Sequence, residues 1–356
     1  MTHHTPNTTL RTNRAHYLLW FFFTLVAFAL SACSNSSSPG PQLLGQTMGT
    51  TYSVQWTTLP TDLDSKEIQT KIERRLLEIN QSMSTYDPKS ALSEFNASRE
   101  TGWHASDTEL VKLVHQALEI NRLSAGAFDV TVGPLVNLWG FGTAKQNFIF
   151  PSDVEIRIAQ RTVGSQNIKA RLDPPALWKN NPDVYIDLSA IAKGYAVDEI
   201  AEILDQYEIA DYMVEIGGEV KGKGLAPHGE AWRIGIETPN ATRASIEAVV
   251  ALDKVGVATS GDYRNYFEHD GKHYAHTIDP TTGRPVEHEL ASVTVVHSSV
   301  ALADAWATAF MVLGPEHSLS LARDHDIAAL FLTREENNFQ QTMSPAMRDH
   351  LISTPK

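Results

Sequence analysis

Asp304 and Thr308 lie four positions apart in a segment whose apolar residues have helical spacing. That separation is about one helical turn, so the carboxylate and the hydroxyl would share one face of the helix. Mg²⁺ takes oxygen ligands and keeps several positions for water and substrate phosphates, so two side chains and one backbone carbonyl would be sufficient. The spacing predicts a hard-oxygen metal site. The structural alternative is an aspartate that interacts with the dipole of its own helix.

A second candidate segment runs from Tyr185 to Tyr195 (YIDLSAIAKGY). Its pattern predicts an apolar strand that leads into a helix, with Asp187 and Ser189 near the helix N-terminus, where free N–H groups attract anions. Either residue could instead be a simple N-cap. Lys193 would then point either at a phosphate or at solvent.

His276 precedes a stretch that contains Asp279-Pro280 and Gly283, which favour a tight turn. We therefore expect His276 at the end of a strand, where it could accept a proton near neutral pH. A hydrogen-bonded structural histidine is the alternative, and Asp279 is the next candidate for the base.

The remaining sequence patterns do not indicate a catalytic or binding motif. The glycines at 217, 218, 222 and 224 do not form a G-x-G-x-x-G fingerprint, and they could serve only bulges or turns. Neither a Cys/His zinc pattern nor a G-x-S-x-G elbow is present.

Regular elements must position these residues, and hydrophobic periodicity predicts several of them. One helix contains Ile68, Ile72, Leu76, Ile79 and Met83. A second starts at Ser106 in a capping-box pattern with Glu109, before Leu110, Val114 and Leu118. A third contains Val197, Ile200, Ala201 and Leu204, and a fourth contains Leu302, Trp306, Ala309, Phe310 and Leu313. Strands are predicted at 52–56, 212–216, 232–236, 248–252 and 292–296.

The composition limits the possible functions. The 356 residues include 29 Lys and Arg against 42 Asp and Glu, which gives a formal charge of -13, and 42% are hydrophobic. This content supports a full core and excludes a disordered chain or a small disulfide scaffold. The acidic balance argues against a nucleic-acid partner. Any phosphate bound here needs help from a metal or from backbone groups.

The first 32 residues predict a signal peptide, because a basic start precedes an apolar stretch over 17–30 that is too short to span a membrane. The following Leu30-Ser31-Ala32-Cys33 resembles a bacterial lipobox, so we expect Cys33, the single cysteine, to be lipidated. An ordinary thiol is the alternative. Residues 33–42 would then comprise the lipidated cysteine and a flexible tether.

From 43 to 356 the sequence shows no internal repeat and no second low-complexity break. It predicts either one α+β domain or two lobes that share a cleft.

Several motifs, in order, resemble the ApbE family of FAD:protein FMN transferases. They are QTMGTTY (46–52), MSTYDPKSALSEFN (83–96), GAFDVTVGPLVNLWGFG (126–142), YIDLSAIAKGYAVD (185–198), VEIGGEVKGKG (214–224), WRIGIETP (232–239), ATSGDYRNYFEHDGKHYAHTIDPTTGRPV (258–286) and ADAWATAFMVLG (303–314).

The resemblance implies a single T-fold-like α+β domain over 43–356 and a set of site residues. The flavin nucleotide would be bound by Met48, Tyr86, Ala127, Phe128, Asp129, Asp187, Lys193 and Ile278. Mg²⁺ would be held by the Ala190 carbonyl, Asp304 and Thr308. Some relatives have an acidic residue where this chain has Ala307, so one metal oxygen could be missing. Tyr86 and Phe128 could stack on the flavin or the adenine, or belong to the core.

The implied activity is Mg²⁺-dependent transfer of FMN from FAD to a Ser or Thr hydroxyl of a target protein, with release of AMP and with His276 as the base. The acceptor would be a subunit of a membrane redox complex. The protein would be a periplasm-facing lipoprotein of the bacterial envelope, at the inner membrane. Two alternatives stay open: an FAD pyrophosphatase that gives FMN and AMP, and a non-catalytic flavin-binding lipoprotein.

Overall fold

The fold combines helices with short strands that pair antiparallel with their neighbours. The computed structural model describes residues 40–142, 150–239, 245–263, 266–269, 272–336 and 338–352. The strands are β1 (Gln42–Thr47), β2 (Thr50–Trp56), β3 (Gly102–Ala105), β4 (Ile168–Leu172), β5 (Pro175–Lys179), β6 (Tyr212–Ile216), β7 (Glu219–Lys223), β8 (Trp232–Glu237), β9 (Ile246–Leu252), β10 (Val255–Gly261), β11 (Tyr266–His269), β12 (Lys272–Ala275), β13 (Ile278–Asp279), β14 (Arg284–Pro285), β15 (Leu290–His297), β16 (Ala328–Glu335), β17 (Asn338–Met343) and β18 (Leu351–Ile352).

The helices lie mainly in the first half of the chain and after β15. They are α1 (Ser65–Met83), α2 (Ala91–Ala97), α3 (Thr108–Leu123), α4 (Gly133–Leu138), α5 (Asp153–Gln160), α6 (Ala192–Gln206), α7 (Val300–Leu313) and α8 (Pro315–Asp324). Two short 3-10 segments, Ser165–Asn167 and Pro345–His350, complete the elements.

The central sheet has eight strands in the order β1-β2-β6-β7-β10-β15-β16-β17. Successive strand residues point to opposite faces, and this gives the sheet two apolar sides. Ala258 and Phe331 belong to the main core, which includes α6 and α7. Their neighbours Val257 and Leu330 belong to a second core with β8 and β9. The sheet is therefore covered by helices on one side and by the small β18-β9-β8 sheet on the other.

This arrangement confirms the α+β class, and residues 40–356 form one compact unit. The last residues assigned to the tether lie in this unit: Gln42 pairs with Gln55, and the Trp56 N–H donates to the Pro41 carbonyl at 3.3 Å. The signal peptide and Cys33 lie outside the described residues. Within the part of the chain that is described, no helix combines the length and the apolar character needed to cross a membrane.

The four predicted helices and five predicted strands are confirmed, and half of the predicted strand ends shift by one or two residues. The expected cap at Ser106 is wrong by one position. Asp107 is the N-cap of α3, and its carboxylate accepts the Leu110 N–H at 2.7 Å. Both residue types cap helices well, so their adjacency left the choice to tertiary packing.

The strand predicted before α6 is also wrong. The backbone from Val184 to Leu188 joins no sheet. Instead, the Asp187 N–H donates to the Val130 carbonyl at 2.7 Å, and the Ile186 N–H donates to the Asn96 side chain at 2.8 Å. These partners satisfy the buried backbone without a strand neighbour.

Candidate active site

A cavity of about 600 Å³ brings together the ends of several elements. Ten of the predicted site residues line it: Ala127, Phe128, Asp129, Asp187, Ala190, Lys193, His276, Ile278, Asp304 and Thr308. Two do not. Met48 lies in the β1–β2 turn with a φ of 49°, and Tyr86, after α1, is 75% exposed. The fold therefore brings ten of the predicted residues to one cavity from positions that are far apart in the chain.

Lys193 lies between two buried carboxylates. Its ammonium group is 2.8 Å from Glu219 Oε1 and 3.6 Å from Asp304 Oδ2. Although burial lowers the pKa of Lys193, the charges of Asp304 and Glu219 raise it above its usual value overall. Burial and the nearby Asp304 raise the pKa of Glu219 to about 7, against the opposing effect of Lys193. Lys193 therefore points at protein carboxylates rather than at solvent.

Asp304 is 3% exposed and lies one helical turn from Thr308 on α7. The backbone N–H of Gly194 donates to its carboxylate. The helix N-terminus of α6 thus binds an anion, as the sequence predicted, and that anion is Asp304. The expectation that Asp187 or Ser189 caps this helix is wrong, because the N-cap is Ile191 without a side-chain hydrogen bond. The alternative that Asp304 serves the dipole of its own helix is also wrong, since α7 has no acidic residue in its first turn.

The three residues predicted to hold a metal, Ala190, Asp304 and Thr308, all line the cavity. Asp304 Oδ2 is buried and has no hydrogen-bond partner among the described residues. The Thr308 hydroxyl lies 3.2 Å from Ser260 Oγ, and Ala190 lies in the turn before α6. A carboxylate, a hydroxyl and a carbonyl are hard oxygen donors, and Asp304 Oδ2 keeps lone pairs for a metal beside its 3.6 Å ion pair with Lys193. These residues fit Mg²⁺. Ala307 is fully buried in the main core and does not line the cavity.

Two further aspartates at the cavity are held in place by hydrogen bonds to their carboxylates. Asp129 accepts from the Thr131 N–H and hydroxyl at 2.8 and 2.6 Å and from the Ser165 N–H at 3.1 Å. Burial raises the pKa of Asp129, and these hydrogen bonds oppose the rise. Asp187 accepts from the Ser189 N–H at 2.9 Å. Both carboxylates are fixed at the wall of the cavity.

His276 follows β12 directly, as predicted, and is half-buried at the cavity. The centroid of its ring lies 6.3 Å from that of Phe141, in an edge-to-face arrangement. The following turn is closed by Asp279, whose carboxylate accepts the Thr281 N–H at 2.8 Å and whose carbonyl accepts the Gly283 N–H at 2.8 Å. Asp279 does not line the cavity. His276 is therefore better placed than Asp279 to act on a substrate.

Sequence reasoning missed several lining residues, chiefly Glu219, Glu215, Ser260, Tyr263 and four consecutive residues of β8. Glu219 follows Gly217 and Gly218, which have φ values of 60° and 101° and turn the chain between β6 and β7. Those left-handed angles favour glycine. A carboxylate directly after such a turn, at the start of a buried strand, was the available signal for Glu219.

The cavity wall is strongly acidic. Six carboxylate side chains line it, from Asp129, Asp187, Glu215, Glu219, Glu237 and Asp304, whereas Lys193 is the one lysine or arginine among the lining residues. An anionic ligand would be repelled here unless a cation accompanied it. In the described residues, no three or more His, Cys, Asp or Glu side chains are grouped as a metal site. A cation would therefore rely on mixed oxygen donors.

The sequence and the fold were compared with known proteins. Residues 48–331 match the model of the ApbE family. The FAD:protein FMN transferase of Vibrio cholerae is 42% identical over 330 residues, which cover 92% of this chain and 98% of that protein.

Solved structures agree with this match. The flavin transferase ApbE from Vibrio cholerae has a TM-score of 0.81 and 41% identity, and the alignment covers 88% of this chain and all of that one. The apo form of the Pseudomonas stutzeri flavinyl transferase ApbE has a TM-score of 0.80 and 40% identity, with 87% and 96% covered. The chain belongs to the ApbE family.

Proposed function

We propose that this protein transfers FMN from FAD to a Ser or Thr hydroxyl of a target protein in a Mg²⁺-dependent reaction. The hydroxyl oxygen forms a bond to the phosphorus of the FMN half, and the bond from that phosphorus to the bridging oxygen breaks. AMP leaves with the bridging oxygen, and the hydroxyl proton goes to a base. The single observation that carries the proposal is one cavity that holds His276, the hard-oxygen donors and six of the eight flavin-site residues implied by the family.

The acidic wall supports the requirement for a cation. FAD carries two phosphate charges, and Lys193 is already paired with Glu219 and Asp304. A bound Mg²⁺ would supply charge neutralisation at the pyrophosphate. Asp304, Thr308 and the Ala190 carbonyl would hold it, and Asp304 Oδ2, which accepts no hydrogen bond within the described residues, would be one of its donors.

His276 is proposed to take the proton from the acceptor hydroxyl. It lies on the cavity wall at the end of a strand, and Phe141 packs against its ring and restricts its orientation. Imidazole is the side chain best suited to accept a proton near neutral pH. Phe128, which is 2% exposed, belongs to the main core and lines the same cavity.

Met48 and Tyr86 extend the proposed flavin site beyond the cavity wall. The β1–β2 turn that holds Met48 lies beside the glycine turn of the cavity, because the Gly217 N–H donates to the Thr51 carbonyl at 3.1 Å. Burial and Asp187 raise the pKa of Tyr185, and Tyr86 adds to this rise, so Tyr86 lies on the same side of the fold as Tyr185 and Asp187. Both side chains would contact a ligand that extends beyond the cavity.

One experiment tests the activity. The protein is mixed with FAD, Mg²⁺ and a candidate acceptor, and intact masses are measured. A gain equal to FMN minus water on the acceptor, lost when its Ser or Thr is replaced by Ala, supports the transferase. Free FMN and AMP with an unmodified acceptor would identify the pyrophosphatase, and intact bound FAD would identify a storage protein.

We also propose that Cys33 carries a lipid anchor that holds the protein on the periplasmic face of the inner membrane, near an acceptor in a membrane redox complex. The support is the lipobox-like sequence and the folded unit that begins a few residues later, at Gly40. Cys33→Ala should release the protein from membranes while transfer in solution is unchanged. Retention of this variant on salt-washed membranes would contradict the anchor.

A further inference from the structure

The strand β8 meets the cavity along its edge. Four consecutive residues, Ile234 to Glu237, line the cavity. Neighbouring residues of a strand point to opposite faces, so a cavity that touched one face would be lined by alternate residues. Four in succession place the backbone itself at the cavity wall.

Within the described part of the chain, that edge of β8 has no strand beside it. β8 is the last strand of the β18-β9-β8 sheet and, within the described residues, it pairs with β9 only. Just before β8, the backbone of Ala231 already pairs with Leu225 in an isolated antiparallel bridge. In an antiparallel pair every second residue directs its N–H and C=O away from the partner strand. Between Arg233 and Ile236, alternate residues thus present these groups at the cavity.

The side chains along this edge leave room for another strand. Gly235 is exposed and has no side chain, and Ile234 is half-buried at the cavity wall. Arg233 points to solvent and pairs with Glu230 at 2.7 Å. β8 has no lysine or proline, which commonly protect exposed edges from pairing.

The geometry points to β8 as the docking edge for the acceptor: the acceptor segment that bears the target Ser or Thr binds in extended form as an added strand along Arg233–Ile236. This inference rests on the proposed transfer reaction and names how its second substrate is recognised. Strand addition supplies affinity through the main chain and needs few specific side chains. It also places alternate acceptor residues towards the cavity that contains His276, so that one hydroxyl can reach the base.

The first test maps the edge by hydrogen exchange. The probe is a short peptide with a single Ser or Thr, selected from a peptide library for its acquisition of FMN. With the peptide and Mg²⁺ but no FAD, the outward amides within Arg233–Ile236 should exchange roughly tenfold more slowly, or more. The amides of β17, the edge strand of the central sheet, serve as the internal control because β17 does not line the cavity. Slowing by FAD and Mg²⁺ alone would assign the β8 edge to the nucleotide and overturn the proposal.

The second test uses the peptide backbone. N-methyl groups placed one at a time along the selected peptide should lower transfer roughly tenfold at every second position and little between them, because they remove donors only where the strand faces β8. A uniform effect, or none, would overturn the strand addition while leaving the transferase intact. If an intact acceptor protein gains FMN and no peptide does, the proposal is also overturned. If neither gains FMN, the proposed function itself fails.

Discussion

The backbone of α6 at Gly194 lies directly against the first turn of α7 at Val300. A Cβ added at Gly194 would be 2.3 Å from the Val300 carbonyl oxygen and 2.7 Å from the Ala301 nitrogen. Both are backbone atoms, so they cannot move aside cheaply. A second contact fixes the same junction, since Asp198 on α6 accepts the Ser299 hydroxyl at 2.8 Å and the Ala301 N–H at 3.1 Å. The separation between Lys193 on α6 and Asp304 on α7 is therefore set by direct contact of the two helices.

Gly194→Ala should force these helices apart. We expect a loss of about 1–3 kcal/mol in the free energy of unfolding, as for other overpacked sites, together with weaker Mg²⁺ binding. Chemical denaturation and calorimetric Mg²⁺ titration measure the two effects. The control is Glu202→Ala, at an exposed position of the same helix. Wild-type stability and Mg²⁺ affinity in Gly194→Ala would show that the two helices can accommodate a methyl group at this contact, and would contradict this account.

Asp304→Asn should abolish FMN transfer and weaken Mg²⁺ binding by the folded protein, because the site has few metal oxygens. Thr308→Val should cause a milder loss, because it keeps the volume of the side chain and removes only a neutral hydroxyl ligand. Mg²⁺ affinity by calorimetry and transfer at limiting Mg²⁺ are the measurements. Glu316→Gln, an exposed acid-to-amide change on α8, is the control. Unchanged Mg²⁺ affinity in both α7 variants would remove this helix from the metal site.

His276→Asn should keep FAD binding and lower transfer by roughly 10²-fold or more, the usual contribution of a general base. The pH–rate profile of transfer should lose the limb in the range where histidine titrates. A structural histidine would instead lower the melting temperature and preserve transfer per folded molecule. Asp279→Asn is the matched comparison, because Asp279 lies outside the cavity lining. Normal transfer by His276→Asn and impaired transfer by Asp279→Asn would reassign the base.

Lys179→Met should destabilise the protein without changing transfer. Lys179 is fully buried, and its ammonium group donates to the Phe95 and Ser98 carbonyls at 2.9 and 2.7 Å. Burial lowers the pKa of Lys179, with a further lowering from Arg99 against the opposing charge of Asp183. Methionine would leave two carbonyl acceptors unpaired, at a cost of about 1–3 kcal/mol in the free energy of unfolding. Lys169→Met, on the neighbouring strand and exposed, should change stability by less than about 0.5 kcal/mol, and equal effects would contradict this account.

Local patterns predicted the helices well because apolar side chains repeat with the helical period, as from Ile68 to Met83. They failed where a distant residue supplies the backbone partner. Nothing near Asp187 indicates that its N–H reaches Val130, so the segment was read as a strand. The sequence predicted an anion at the start of α6, but it could not show that the anion is Asp304, more than a hundred residues later.

The site residues that were missed depend on tertiary placement even more strongly. Glu219 adjoins a glycine turn whose local role is evident, yet its pairing with Lys193 arises only when β7 packs beside α6. The edge position of β8 is likewise invisible in its own sequence, because a strand becomes an edge only through the order of the sheet. The family motifs predicted a set of site residues, whereas only the fold shows which other residues line the same cavity.

In the proposed reaction, the acidic wall of the cavity would also link two binding equilibria. Because six carboxylates face one lysine, FAD would meet repulsion that a divalent cation would relieve, and the cation would gain ligands from the pyrophosphate. Thermodynamic reciprocity then requires that each ligand raise the affinity for the other by the same factor. The cavity would thus admit nucleotide and cation as a cooperative pair, and its occupancy would vary with the product of their concentrations.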